Sequence, residues 1–466
     1  MIQRIVRKAL WGLFFCFFEK FFVPILTSGG PASFVMPLQV GKTPIVVPRQ
    51  HQFYEHVNDH QVEFARNVAK RMGTIIDVED IETLGEIIAN YDQIVAGMGH
   101  EINSNNAKFN RDLLRLAKAH SVSAMVCMAL EQTDAFRCAE ESIRLKWLDA
   151  KNKAVRKNML LDAERHRLEK EFAEYGIWYM PLKGSILKDW YPKFGMREMA
   201  DNDILFDASK RKEVKAIFQG RGYTVKGYNK SNHDEYEKPP IYNFEMHVEL
   251  YHKIYDTFNE KYADVKQRLI PDAEVPYRFH FTPEDFYVFV IAHAYKHYSR
   301  SGTGIRTLAD IYIMNQKLGG TLNWEYVDSE LRGLGIFSYE HESRELAQKI
   351  FGIAELPTKA NLSEAEQQML AYYLGASTYG TIENRILNQM QKLQPDDGAF
   401  TARTKRKYLL SRIFPGREWC KAYAPTVYKY PVLLPFFWVW RLIYKGITNR
   451  KKVTQEIKTI KAGKQN

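Results

Sequence analysis

Asp201 and Asp203 form an Asp-x-Asp pair downstream of a small turn, Lys183-Gly184-Ser185, that follows an apolar stretch. In an extended run their carboxylates project from one face roughly 6 to 7 Å apart, because a strand rises about 3.3 Å per residue. Acids so placed suit hard divalent cations, and Mg²⁺ in particular binds through one or two carboxylates plus the phosphates of a substrate. With a pair of ions, one activates an acceptor hydroxyl and the other neutralises the leaving oxygen. The Lys-Gly-Ser turn offers the other half of such a site, since backbone N–H groups opened at a helix start can meet a polyphosphate. Lys183 and Arg197 are the nearest cations and suit phosphate oxygens, one as a point charge and the other as a planar fork. A salt bridge to a neighbouring acid explains Arg197 equally well. Taken alone, an Asp-x-Asp pair marks many solvated strand ends.

Glu245, His247 and Glu249 alternate with Met246, Val248 and Leu250, so a strand would place all three on one face. Either glutamate can serve as a third acid, and Glu249 is also explained as an ordinary exposed strand residue. His247 is a poor Mg²⁺ ligand and reads as a hydrogen-bonding group that orients a carboxylate or substrate. His293 and His297 stand four apart in a run, residues 283–298, whose apolar positions Phe286, Phe289 and Val290 predict a helix. Ala294 sits where a zincin carries its general base, and no further zinc ligands accompany the pair, so these histidines read as buried and hydrogen-bonded. Arg306 and Asp310, also four apart, are explained by a helix-surface pair.

These stretches resemble the uncharacterised bacterial nucleotidyltransferases related to the DNA polymerase beta superfamily, whose sequences carry Leu-Lys-Gly, then Arg and Asp-x-Asp. Residues 244–250 are similar to that family's strand bearing a third acid followed two positions later by His. Residues 293–297, 302–306 and 310–312 are similar to its helical signature, and residues 414–419 and 434–438 to its C-terminal portion; the similarity covers about residues 110 to 450. The resemblance implies an α+β fold: a polymerase-beta-like nucleotidyltransferase core, mixed sheet with packed helices, flanked by N- and C-terminal helical regions. It implies transfer of an NMP from an NTP to a hydroxyl acceptor, whether small molecule, glycan or protein, with Mg²⁺ or Mn²⁺. Asp201, Asp203 and Glu245 or Glu249 would be catalytic, with Asp201, Asp203 and Glu245 as metal ligands; alignment on Glu-x-His favours Glu245 as the third acid. Lys183, Gly184, Ser185 and Arg197 would hold the nucleotide, and His247, His293, His297 and Arg306 would contact substrate. A non-catalytic nucleotide-binding or membrane-associated scaffold is the alternative, and retention of every acid speaks against it. Two departures stand out. The gap from Ser185 to Asp201 is longer than usual, and Asn202 replaces an apolar residue and should face the sheet interior.

The elements that must hold these groups follow from the pattern. Residues 177–180 predict a first strand, a helix follows through Trp190, residues 204–206 continue the acidic strand, residues 214–218 suit a helix, and residues 244–250 predict the next strand. This gives a core over 173–280 and a helical domain over 281–400. Upstream, residues 51–172 carry a helical pattern, while residues 1–50 read as an apolar N-terminal segment followed, over 27–50, by a linker with an extended portion. Arg4, Arg7 and Lys8 precede an apolar run over 9–18 that fits a signal peptide, an interfacial helix or a misassigned start. That run is shorter than the roughly 20 residues a bilayer-spanning helix needs.

With 466 residues, 45% of them apolar, the chain can form two or three domains. Its charge is unevenly shared. Residues 401–466 hold 16 basic and 2 acidic side chains, leaving the first 400 with 50 basic and 53 acidic. This basic, aromatic tail suits an anionic membrane surface, or a terminal helix packed on the body with a solvated basic end. Nucleic acid is a weaker partner because the remainder is mildly acidic. Four cysteines without metal or disulfide spacing fit a reducing cytoplasm, with membrane association as the variant.

Overall fold

A computed structural model describes residues 26–28, 37–38, 42–53, 55, 59–98, 106–133, 136–137, 139–252, 255–352, 361–394, 399–448, 454 and 456–460. The apolar run over 9–18 and the cations Arg450, Lys451 and Lys452 lie outside them. The described residues form two compact units, one of residues 26–117 and 126–149, the other of residues 118–125 and 150–460.

The first unit contains a three-stranded parallel sheet, β1 (Leu26–Ser28), β2 (Ile45–Val47) and β3 (Ile76–Asp77), in the order β1-β2-β3. Parallel sheets must be covered on both faces. Here Val46 packs with Ala65 of the His60–Met72 helix and Ile75, while Ile45, Ile76 and Val78 pack with Leu84, Ile87, Tyr91 and Ile94. Part of the expected linker is therefore strand. Strands of two or three residues are too short to show alternation, which is why the pattern gave only an extended portion before residue 50 and helix alone after it.

The second unit is built on a mixed five-stranded sheet of order β4-β5-β8-β7-β6. Its strands are β4 (Tyr179–Pro181), β5 (Asn202–Phe206), β6 (Thr224–Val225), β7 (His233–Lys238) and β8 (Tyr242–His247). Only β5 and β8 pair in parallel; a separate antiparallel pair, β9 (Ile270–Pro271) and β10 (Phe279–His280), lies outside this sheet. Period-two alternation divides the sheet into two chemically different faces. On one, Ile204, Phe206, Tyr236, Phe244 and Met246 pack with Leu168 and Phe172 of the Glu141–Glu174 helix and with Val214, Ile217 and Phe218 of the Arg211–Gly220 helix. Phe218 and Tyr236 stack with ring centroids 4.2 Å apart. Truncating one such buried ring costs about 3–5 kcal/mol, so this layer holds the sheet rigid. Asn202 faces the same way, as expected: it is fully buried and its amide donates to the Leu161 carbonyl at 3.0 Å.

The opposite face carries Asp203, Glu245, His247 and His233. The parallel register sets Asp203 beside Glu245, and the antiparallel register sets His233 beside His247. β8 ends at His247, earlier than predicted. Val248 and Glu249 both donate their N–H groups to the Asn232 carbonyl, and the Asn232 amide donates to the Glu249 carbonyl at 3.1 Å, which draws the chain out of the sheet. β7 escapes the sequence pattern because five of its six residues are ionisable besides Tyr236. Its Asp234 is fully buried and meets Arg211 at 2.6 Å.

Helices complete the unit. Pro283–Ser301 starts at Thr282, whose hydroxyl accepts from the Asp285 N–H at 3.0 Å, with proline in its first turn. It buries Phe286, Phe289 and Val290, the apolar side expected. Arg306–Leu318, Trp324–Gly333, Phe337–Phe351 and Ile382–Gln391 follow, and Ala402–Ile413, Arg417–Tyr423 and Leu434–Thr448 form the C-terminal portion. The chain is thus α+β, a mixed sheet with packed helices and helical flanks.

Candidate active site

The polar sheet face, the Lys183 turn and the Pro283–Ser301 and Arg306–Leu318 helices enclose a cavity of about 350 Å³. Its walls include Lys183, Gly184, Arg197, Asp201, Asp203, Glu245, His247, His293, His297 and Arg306, most of the residues that the sequence pointed to.

Leu182 continues β4 by donating its N–H to the Asp203 carbonyl at 2.9 Å, so the turn begins beside the acid it serves. Lys183 then adopts φ +41°, a left-handed conformation costing a non-glycine residue about 1–3 kcal/mol. Its ammonium lies 3.1 Å from Asp203 Oδ2 and 3.0 Å from His293 Nε2. A Cβ on Gly184 would sit 2.7 Å from Arg197 Nη1 and 3.0 Å from Met199 Sδ, which is why glycine stands there. The helix that follows, Gly184–Leu187, is a single turn with little dipole, so side-chain cations rather than a helix end face the cavity.

Three expectations need correction. Ser185 is buried, and both its N–H (3.3 Å) and its hydroxyl (2.8 Å) donate to the Leu182 carbonyl, closing the turn instead of facing the cavity. Glu249 is exposed beyond the end of β8 and does not line the cavity, so the third acid there is Glu245. Arg306 and Asp310 do not form a surface pair. Asp310 is buried and grips Arg197 through two bonds, Nε–Oδ1 at 2.7 Å and Nη2–Oδ2 at 2.9 Å, with the Tyr191 hydroxyl donating to it at 2.7 Å. Arg197 is therefore the salt-bridge residue, a fixed wall behind Gly184. Arg306 donates Nη1 to the Glu198 carbonyl at 3.0 Å and has no carboxylate partner among the described residues.

Charge is unequally compensated across the acids. Burial would raise the Asp203 pKa, but the Lys183 ammonium and the His247 hydrogen bond (Nε2 to Oδ1, 2.9 Å) outweigh it and hold Asp203 well below the usual carboxylate range. Burial likewise opposes protonation of His247, yet its bonds to Asp203 and Glu245 raise its pKa. Asp201 has only charged neighbours and no hydrogen-bond partner among the described residues; burial, then the charges of Asp203 and Glu245, push it up to about 7. Burial and the Lys183 charge keep His293 neutral. Burial with the Lys296 and Lys183 charges takes His297, 3.3 Å from His293, down to about 3.

Asp201, Asp203 and Glu245 line one cavity, and their carboxylates are the hard oxygens a divalent cation takes. Among the described residues, the trio whose ligand atoms all lie within 4.8 Å of one another is His233, Glu245 and His247; Asp201, Asp203 and Glu245 are spread more widely over the cavity. The sequence reading missed His233, Lys296 and Tyr379, which line the same cavity. His233-Asp-Glu235 reverses the order of Glu245-Met-His247 on the neighbouring strand, and that mirrored pattern was the available signal.

The family described as "Uncharacterised nucleotidyltransferase" matches residues 108–352, just over half of the chain and a stretch containing every residue of this cavity wall up to Asp310 and Ile311. Among solved structures, one titled "Crystal structure of an antigenic nucleotidyltransferase-like protein from Paracoccidioides brasiliensis" is 14% identical. The similarity covers 44% of this chain and 96% of that one, with a TM-score of 0.28. No curated protein matches the chain.

Proposed function

The chain belongs to the family of uncharacterised nucleotidyltransferases, and from that premise we propose that it moves a nucleoside monophosphate from an NTP to a hydroxyl acceptor. The observation that carries this reading is the convergence of Asp201, Asp203 and Glu245 with Lys183, Lys296 and Arg306 on one cavity. Acids without cations would repel a polyphosphate, and cations without acids would bind it without activating an acceptor. Its volume of about 350 Å³ is within the range of small-molecule sites.

Mg²⁺ or Mn²⁺ held by Asp201, Asp203 and Glu245 would neutralise charge at the phosphates and acidify the acceptor hydroxyl. The protein's own contribution is positioning and electrostatics. His247 orients Asp203 through their 2.9 Å bond. Lys183 neutralises Asp203 and, on its flexible stem, can exchange that carboxylate for a phosphate oxygen. Arg306, which makes no ion pair with a carboxylate among the described residues, and Lys296 supply further positive charge for the phosphates. Glu245, in register with Asp203, is positioned to take the acceptor proton. Neutral His293 and His297 offer ring nitrogens for hydrogen bonding without adding charge.

Asp203→Asn keeps the shape and removes the charge. With NTP, Mg²⁺ and cell extract as the acceptor source, it should lower pyrophosphate release on the order of 10³-fold while NTP still binds. Undiminished release would overturn the assignment. NTP binding by the wild type with no turnover against any extract would favour the non-catalytic scaffold.

A further inference from the structure

The Leu434–Thr448 helix turns its apolar side outward. Its inner side is anchored: the Trp438 indole donates to the Pro415 carbonyl at 3.3 Å and meets Phe414 edge-on at 5.2 Å, while Arg441 lies over the Trp419 ring at 4.9 Å. The opposite side carries Phe436 (74% exposed), Val439 (59%), Trp440 (56%) and Ile443 (60%), at the i, i+3, i+4, i+7 spacing of one helix face. Val432, just before the helix, is 76% exposed and extends the patch. A contiguous apolar stripe of this kind marks an interaction site.

Charge identifies what covers it. Residues 401–466 carry 16 basic and 2 acidic side chains, whereas the rest of the chain is close to neutral, so the excess of cations belongs to the same stretch of sequence as this stripe. Trp440 and Tyr444 stack at 5.1 Å on the same side, and such amphipathic rings favour the boundary between headgroups and acyl chains. No helix among the described residues is long and apolar enough to cross a membrane, so the arrangement calls for a helix lying in the plane of the surface.

We propose that the Leu434–Thr448 helix docks on an anionic lipid bilayer, with Phe436, Val439, Trp440 and Ile443 entering the headgroup–acyl boundary and lysines and arginines of the same C-terminal stretch meeting lipid phosphates. This assignment stands independently of the nucleotidyl-transfer reading.

The test is co-sedimentation of the full chain with vesicles of phosphatidylcholine alone and of equal parts phosphatidylcholine and phosphatidylglycerol. Binding is expected only to the anionic vesicles, weakening as salt is raised. The double variant Phe436→Ser/Ile443→Ser, at two exposed positions, should bind roughly thirtyfold or more weakly while retaining its circular dichroism and melting temperature. No binding of the wild type to anionic vesicles would overturn the proposal. So would equal binding by the double variant, which would transfer the contact to another segment. Self-association abolished by the same double substitution, without vesicle binding, would show that a second copy covers the face and would equally reject the lipid assignment.

Discussion

At Lys296 the site's electrostatics become measurable. Burial, and then the neighbouring Lys183 charge, push this lysine down to about 8 against the attraction of Asp203 and Glu245. Its charge is therefore present below about 8 and lost above it. If it meets phosphate, NTP affinity should decline as pH rises through that value, because the deprotonated amine offers no charge to the nucleotide. Lys296→Met should bind more weakly at neutral pH and lose this slope. Calorimetric titration of both proteins across the alkaline range decides it, and an identical slope in the variant would remove Lys296 from the phosphate contacts. Asp201 and Asp203 illustrate the same point from the acid side: two residues apart, they shift in opposite directions, because burial and the neighbouring acids dominate at Asp201 whereas the Lys183 ammonium and the His247 hydrogen bond dominate at Asp203.

Among the elements, the Lys183–Ser185 turn has the least tolerance. Gly184 lies against the Arg197 guanidinium, which cannot retreat because Asp310 holds two of its nitrogens. Gly184→Ala should therefore displace the turn and Lys183 with it, lowering stability by about 1–3 kcal/mol through overpacking. NTP affinity should fall about tenfold along with it, since a displaced Lys183 loses contact worth roughly 1.4 kcal/mol. Thermal unfolding and NTP titration of the variant check both parts; wild-type values would mean the turn has room to spare. The strands behave differently. β5 and β8 present acids on one face and apolar residues on the other through local alternation alone, whereas the position of Glu249 depends on Asn232, a residue of another segment.

For the molecule as a whole, a ligand that binds only the folded state stabilises it by mass action, about 2.7 kcal/mol at one hundred times its Kd. Scanning calorimetry with NTP and Mg²⁺ together should raise the melting temperature more than either alone, and no shift with any NTP would count against a nucleotide pocket. Much of the site was legible in the chain. The orientation of Asn202, the Glu245-x-His247 pattern and the helix bearing His293 and His297 all express spacing between near neighbours, which strand and helix geometry convert directly into shared faces. The tertiary structure alone decided which partner each charge meets: Asp310 with Arg197 across 113 residues, Lys183 with His293 across 110, Asp203 with His247 across 44. Local periodicity determines which way a side chain points from its own element, but a buried charge is neutralised by whatever packing brings near, and that depends on how distant segments fold together.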